Sequence, residues 1–169
     1  MKRFFAFCAL IICTLLIQTA ILSNRHALPV VPDILLLVAV FIGFHNGSTS
    51  GQTAGFFSGL LLDFLSAAPL GLNALIRTII GFLSGLFYQS LETTGILVPL
   101  ISGFTATAAK ALLIRIVSFF YPDSVLTYSL FSSVFWYECL FNTLCAPLVF
   151  RFLSFFTIFV KDFRTESLD

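Results

Sequence analysis

Apolar runs long enough to cross a lipid bilayer fill most of this sequence. From Phe4 to Val160 they are interrupted only by short clusters of polar residues, glycine and proline. A transmembrane helix needs about 20 predominantly apolar residues. Charged residues make up only 10% of the chain, whereas soluble domains carry roughly 25%. The sequence therefore predicts an all-α integral membrane protein in which residues 1–169 form one membrane domain.

Six segments are candidate membrane spans, and the charges at the two ends of the chain predict their orientation. Lys2 and Arg3 precede the first segment, and Lys161 and Arg164 follow the last. Because Lys and Arg accumulate on the cytoplasmic side of membrane proteins, both termini are expected in the cytoplasm, which requires an even number of spans. We predict a compact six-helix bundle with spans over about 4–22, 31–44, 51–66, 70–88, 95–120 and 136–160.

The first segment also has the basic start and apolar core of a signal peptide. Its apolar run is longer than a typical signal-peptide core, and the residues that follow fit a cleavage site poorly. We therefore expect residues 4–22 to stay in the protein as its first span.

Charged residues inside the predicted spans concentrate in the outer halves of those spans, and their signs nearly balance. Intramembrane charges are usually paired and face the bundle interior. Asp33 follows a proline and also fits the start of a helix, where free N–H groups favour a carboxylate. Glu138 lies in the same outer half, beside an aromatic cluster. We predict one polar cluster, either structural or partner-binding, formed by Asp33, Asp63, Arg77 and Arg115.

Asp63 and Arg77 lie on either side of the turn between the third and fourth spans, and Pro69 and Gly71 are expected in that turn. Counted from the turn at the helical rise per residue, Asp63 lies roughly 7 Å deep and Arg77 roughly 13 Å deep. An arginine side chain can bridge this difference, so a buried ion pair between the two is predicted. Lys110, deep in the fifth span, either pairs with a carboxylate, snorkels to the surface or lines a cavity.

Glycines recur at every fourth position in the third span, and a similar pair occupies the fourth. Small residues at this spacing let helix backbones approach closely in lipid. Asp63 continues the same series and is therefore expected to face a neighbouring helix. We predict helix-packing roles for Gly51, Gly55, Gly59, Gly81 and Gly85.

Motifs for catalysis, metal binding and nucleic-acid binding are not apparent. The four cysteines lie in apolar segments without a CxxC pair, and the two histidines lie in separate loops. No glycine-rich phosphate loop or Ser-His-Asp order is visible, and a net charge of +1 does not indicate a nucleic-acid surface. We expect no enzyme activity, no cofactor and no metal site.

The stretch VPDILLLVAVFIGFHNGSTSGQTAGFFSGLLLDFLSAAPLGLNALIRTIIGFLSGL resembles the core of the rod shape-determining protein MreD family. The shared features are the Pro-Asp pair that opens the second span, the glycine-rich third span, the aspartate near its end and the PLG turn. The resemblance covers roughly residues 29–90; beyond residue 95 only the hydropathy is similar. It implies a non-enzymatic, multi-pass subunit of the bacterial cytoplasmic (inner) membrane.

The resemblance also implies partners. MreD-like proteins are associated with MreC, and through it with a RodA-type glycosyltransferase, a class B penicillin-binding protein and, indirectly, MreB. The implied role is a scaffold in the cell-elongation complex that synthesises peptidoglycan. The family is similar in fold to the S components of energy-coupling-factor transporters, so the alternative is a substrate-binding membrane subunit of a vitamin transporter. The Pro-Asp and PLG motifs favour the scaffold.

Overall fold

The computed structural model describes Thr14, Gln18 and residues 30–66, 69–88, 90, 95–122 and 132–156. Throughout these residues the regular secondary structure is helical, which confirms the all-α prediction. Thr14 and Gln18 are themselves helical; the rest of the predicted first span lies outside the described residues. The five further helices are α1 (Ile34–Asn46), α2 (Ser48–Leu65), α3 (Leu72–Leu86), α4 (Leu97–Phe120) and α5 (Ser133–Phe156).

Two of the described helices, α4 and α5, are long and apolar enough to cross a membrane. α1 has 13 residues and α3 has 15, so each is only roughly 20 Å long, against about 30 Å for the hydrocarbon core of a bilayer. The prediction of six full-length spans is therefore not supported. The last helix also begins at Ser133 rather than at Trp136.

α1 is the central helix of the described fold. Each of its nine consecutive residues from Leu35 to Gly43 is buried, and α1 contacts all four of the other helices. A helix that is apolar on every side must be enclosed by other elements. The residues of α1 from Ile34 to Phe44 are apolar on every side of the helix. Phe41 of α1 packs edge-to-face on Phe150 of α5, with ring centroids 5.2 Å apart. α1 thus forms the core around which the remaining helices pack.

α2 and α3 form a close antiparallel hairpin at which glycine backbones touch. A Cβ atom built on Gly51, Gly55 or Gly59 of α2 would lie closer than 3.0 Å to backbone atoms of α3. The same holds in reverse for Gly81, which faces Gly51, and for Gly85, which faces the start of α2. Van der Waals packing of this kind is what holds helices together in lipid. All five glycines with a predicted helix-packing role therefore lie at the contact between α2 and α3.

Large apolar side chains cover the outward faces of α4 and α5. These side chains have more than 40% of their surface exposed, which is the pattern of a helix surrounded by lipid rather than by water. On α4 and α5 they include Ile101, Phe104, Leu112, Ile116, Leu140, Leu144, Leu148 and Phe152.

We predict that Gly55→Ala destabilises the protein, because the new methyl group would collide with the Arg77 carbonyl. Overpacking of this kind costs about 1–3 kcal/mol. Thermal unfolding in detergent, followed by the loss of monodisperse protein, measures the change. Gly95→Ala is the matched control, because a Cβ at that position meets no atom within 4 Å. Equal melting midpoints for the two variants would contradict the prediction.

Candidate functional site: a buried charge network

Asp33 begins α1 and is the centre of the network. It is the N-cap residue of that helix, and its Oδ1 accepts a hydrogen bond from the backbone N–H of Leu36 at 3.2 Å. Such a bond satisfies one of the N–H groups that a helix leaves free at its start. Asp33 is only 3% exposed, so its negative charge also needs a counter-charge.

Two cations from other helices supply that counter-charge. Arg77 of α3 donates from Nη2 to Asp33 Oδ1 at 2.6 Å, and Lys110 of α4 donates from Nζ to Asp33 Oδ2 at 2.8 Å. Lys110 Nζ also donates to Oε1 of Glu138, on α5, at 2.6 Å. The order along the network is Arg77, Asp33, Lys110, Glu138, so the positive and negative charges alternate and cancel.

Neutral side chains extend the network on the α5 side. The backbone N–H of Asp33 donates to Oδ1 of Asn142 at 2.7 Å, and Nδ2 of Asn142 donates to the Thr107 hydroxyl at 2.9 Å. Thr107 in turn donates to the carbonyl of Gly103 at 2.8 Å. Asn142 and Thr107 are both fully buried. The four charged residues together with Asn142 and Thr107 are called the buried network below; it joins α1, α3, α4 and α5.

Burial makes this network costly to disrupt. Arg77 is 1% exposed, and the side chain of Lys110 is 16% exposed. Desolvating charges is expensive, and breaking such a pair leaves an uncompensated buried charge. Among the described residues no group of His, Cys, Asp and Glu is placed to hold a metal ion. Arg77 Nη1 is buried and has no hydrogen-bond partner in the described part of the chain.

Asp63 lies outside the buried network and has a different task. Its carboxylate accepts the backbone N–H groups of Gly71, Asn73 and Ala74 at 3.0, 3.0 and 3.1 Å, and the Asn73 side chain at 2.9 Å. These are the N–H groups at the start of α3. The N-cap residue of α3 is Gly71, with φ of 93° and no side chain to cap the helix. Asp63 supplies that cap from the end of α2.

The predicted ion pair between Asp63 and Arg77 is therefore wrong. Asp63 is buried, 2% exposed, against the helix that its glycine series indicated, but it binds the backbone of that helix. Arg77 points to Asp33 instead. Charged side chains are not the only partners of a carboxylate: the free N–H groups at the start of the next helix also attract it.

The structure brings together only part of the predicted cluster. Asp33 and Arg77 are in contact, whereas Asp63 binds the start of α3 and Arg115 is exposed on α4. Lys110, which was expected to pair, snorkel or line a cavity, pairs with two carboxylates. Asn142 was not foreseen, because an uncharged residue in an apolar segment gives little sign of its role.

One apolar cavity of about 220 Å³ lies beside α1 and α5. No charged side chain of the buried network lines it. Its lining consists of Thr14, Ile34, Val38, Leu148, Val149, Phe152 and Leu153. The only polar side chain among the described residues that line this cavity is Thr14, so the cavity offers a polar substrate one hydroxyl group.

The family model of the rod shape-determining protein MreD matches residues 1–156 of the chain. No curated protein and no solved structure is significantly similar to this chain. The expected similarity in fold to energy-coupling-factor transporter components therefore has no support.

A double-mutant cycle distinguishes the observed pair from the predicted one. Asp33→Asn and Arg77→Gln should each destabilise the protein by about 3–5 kcal/mol, since each leaves the buried network with one uncompensated charge. The double variant should lose clearly less than the sum of the two. Asp63→Asn combined with Arg77→Gln is the control cycle, in which the losses should be nearly additive. Unfolding free energies in detergent give both couplings, and a larger coupling for the control cycle would contradict the structure.

If Asp63 caps α3, substitutions that remove more of its hydrogen-bond acceptors should destabilise the protein more. Asp63→Ala removes all acceptors at the start of α3 and should cost about 1–2 kcal/mol. Asp63→Asn keeps one acceptor oxygen and should cost less. Asn73→Ala, which removes one donor and leaves the three backbone bonds intact, serves as the reference. Melting midpoints should fall in the order Asn73→Ala, Asp63→Asn, Asp63→Ala, and a reversed order would rule out the capping role.

Proposed function

Because the chain belongs to the MreD family of rod shape-determining proteins, we propose that it is a non-enzymatic scaffold subunit of the bacterial cell-elongation complex. Membership of the family implies a role in determining rod shape and a place in a membrane. The finer proposal is that the chain spans the cytoplasmic membrane several times and binds an MreC-like protein. Through that partner it would join a RodA-type glycosyltransferase, a class B penicillin-binding protein and, indirectly, MreB.

The observation that supports a scaffold is that the buried charges neutralise one another. Asp33 and Glu138 are both bound by Lys110, and Arg77 is bound to Asp33. A substrate-binding or catalytic site keeps polar groups directed into an accessible cavity, whereas these groups bond to each other across four helices. The network therefore acts on the shape of the bundle.

A fixed shape is what a scaffold has to supply. In lipid, helix surfaces are recognised by close packing of complementary faces. Such a surface keeps its form only if the helices that make it keep their relative positions. The buried network does this for α1, α3, α4 and α5, and the glycine contact does it for α2 and α3.

Complementation and co-purification test the proposal together. The chain, expressed in rod-shaped cells depleted of their own MreD-family protein, should restore rod shape, and an MreC-like protein should be recovered with it in mild detergent. Arg77→Gln should reduce both, because the bundle loses its internal restraint. Gly95→Ala, at an open position, should reduce neither.

Two results would count against the scaffold. One is restored cell shape with no recovery of an MreC-like protein under conditions where a known complex survives. The other is recovery of a transporter ATPase together with a bound vitamin, which would establish the transporter subunit instead.

A further inference from the structure

Arg115 and Arg151 are charged residues that lie outside the buried network, on exposed faces of α4 and α5. Arg115 lies five residues before the end of α4 at Phe120, and Arg151 lies five residues before the end of α5 at Phe156. Their neighbours on these faces are large exposed apolar side chains, among them Leu112, Ile116, Phe119, Leu148, Phe152 and Phe155. A guanidinium in such a setting cannot remain in hydrocarbon and has to reach a polar phase.

The contacts between α4 and α5 fix how the two arginines are placed along the bundle. Lys110 bonds to Glu138, and Thr107 bonds to Asn142. A Cβ on Gly103 would lie 2.9 Å from the Cβ of Ala146. Residue numbers therefore fall along α5 as they rise along α4, so the two helices are antiparallel.

Extending this register places each arginine level with the first turn of the other helix. Arg115 is level with Val134 on α5, and Arg151 is level with Val98 on α4. At 1.5 Å per residue, the stretch from Val134 to Arg151 is about 25 Å long. The hydrocarbon core of a bilayer is about 30 Å thick. Each arginine stem can extend a few Å towards the nearer surface, so the two guanidinium groups match the two boundaries of that core.

The surface between these two levels is predominantly apolar, with Thr105 as an exposed polar residue. Along α4 and α5 the other charged residues in this interval are Lys110 and Glu138, which are bound to each other and largely buried. Trp136 and Tyr137 are exposed just inside the level of Arg115, where aromatic side chains of membrane proteins concentrate. The arginines and the apolar band thus indicate two boundaries, and the aromatic residues indicate the one at Arg115.

We propose that Arg115 and Arg151 bind the phosphate groups of phospholipids in opposite leaflets and thereby set the depth at which α4 and α5 cross the bilayer. The planar guanidinium offers paired N–H donors that match two phosphate oxygens. The inference rests on the register of two helices and their surface, and it holds independently of which partner the protein binds.

Trp136, the single tryptophan of the chain, measures the predicted depth directly. The wild-type protein is reconstituted into vesicles of phosphatidylethanolamine and phosphatidylglycerol that contain a lipid spin-labelled either near the glycerol backbone or near the chain end. Trp136 lies about 3 Å below the level of Arg115, so the shallow label should quench its fluorescence more strongly than the deep label. Stronger quenching by the deep label would overturn the placement.

Variants of the two arginines test the phosphate contact. Arg115→Gln and Arg151→Gln should each lower the melting midpoint by a few degrees in phospholipid vesicles, and Arg115→Lys and Arg151→Lys should stay near the wild type. In vesicles of galactolipid, which has no phosphate, all five proteins should melt together.

Two outcomes of that comparison would overturn the proposal. An equal loss in both lipids would show that the arginines act through contacts within the protein. Unchanged melting in phospholipid, together with lost recovery of the MreC-like protein, would assign them to a partner's carboxylates. Because reconstitution, quenching and melting need no partner, the result expected from them does not depend on the scaffold function.

Discussion

The Asp33 carboxylate is the group on which the arrangement of the helices depends. It bonds to the backbone of its own helix, to Arg77 of α3 and to Lys110 of α4, and its N–H bonds to Asn142 of α5. A buried carboxylate with so many partners tolerates one geometry, because moving any of these helices would leave a charge or a donor unpaired in a medium where that is costly. α1 is apolar on all sides and could slide or rotate against apolar neighbours; the hydrogen bonds of its N-cap residue, Asp33, prevent this.

The two buried aspartates show two ways to hold a negative charge inside such a fold. Asp33 is held mainly by side-chain cations from distant parts of the chain. Asp63 is held by the backbone N–H groups at the start of α3 and by Asn73, all within eleven residues. The first solution ties separate helices together, whereas the second closes one hairpin whose glycine contact already brings α2 and α3 together. Asp33 therefore fixes the arrangement of the helices, and Asp63 closes the α2–α3 hairpin.

The helices of this fold and the faces they bury are predictable from the sequence, whereas most of the side-chain pairs are not. The apolar segments and the glycine spacing are local properties, and the four-residue period alone directs Asp63 towards α3. Rise per residue gives the depth of a side chain, but it does not say how one helix is rotated against another. Asp33 and Arg77 are 44 residues apart, so their contact follows from the packing of α1 on α3. Charge balance was the available signal for Lys110 and Glu138, since two acids and two bases form a neutral set.

The shortness of α1 explains why so polar a network lies at its start. If Arg115 marks one boundary of the hydrocarbon core, Glu138 lies about 6 Å below it, and Asp33 shares Lys110 with Glu138. α1 then begins below the membrane surface, where water cannot satisfy its first N–H groups. Each of them has a partner in the protein: Asp33 N–H binds Asn142, and Ile34 N–H binds the Pro32 carbonyl. Leu35 N–H binds Gln18, and Leu36 N–H binds the Asp33 side chain. A central helix of 13 residues is thus compatible with a bilayer because its end is enclosed by polar groups of the surrounding helices.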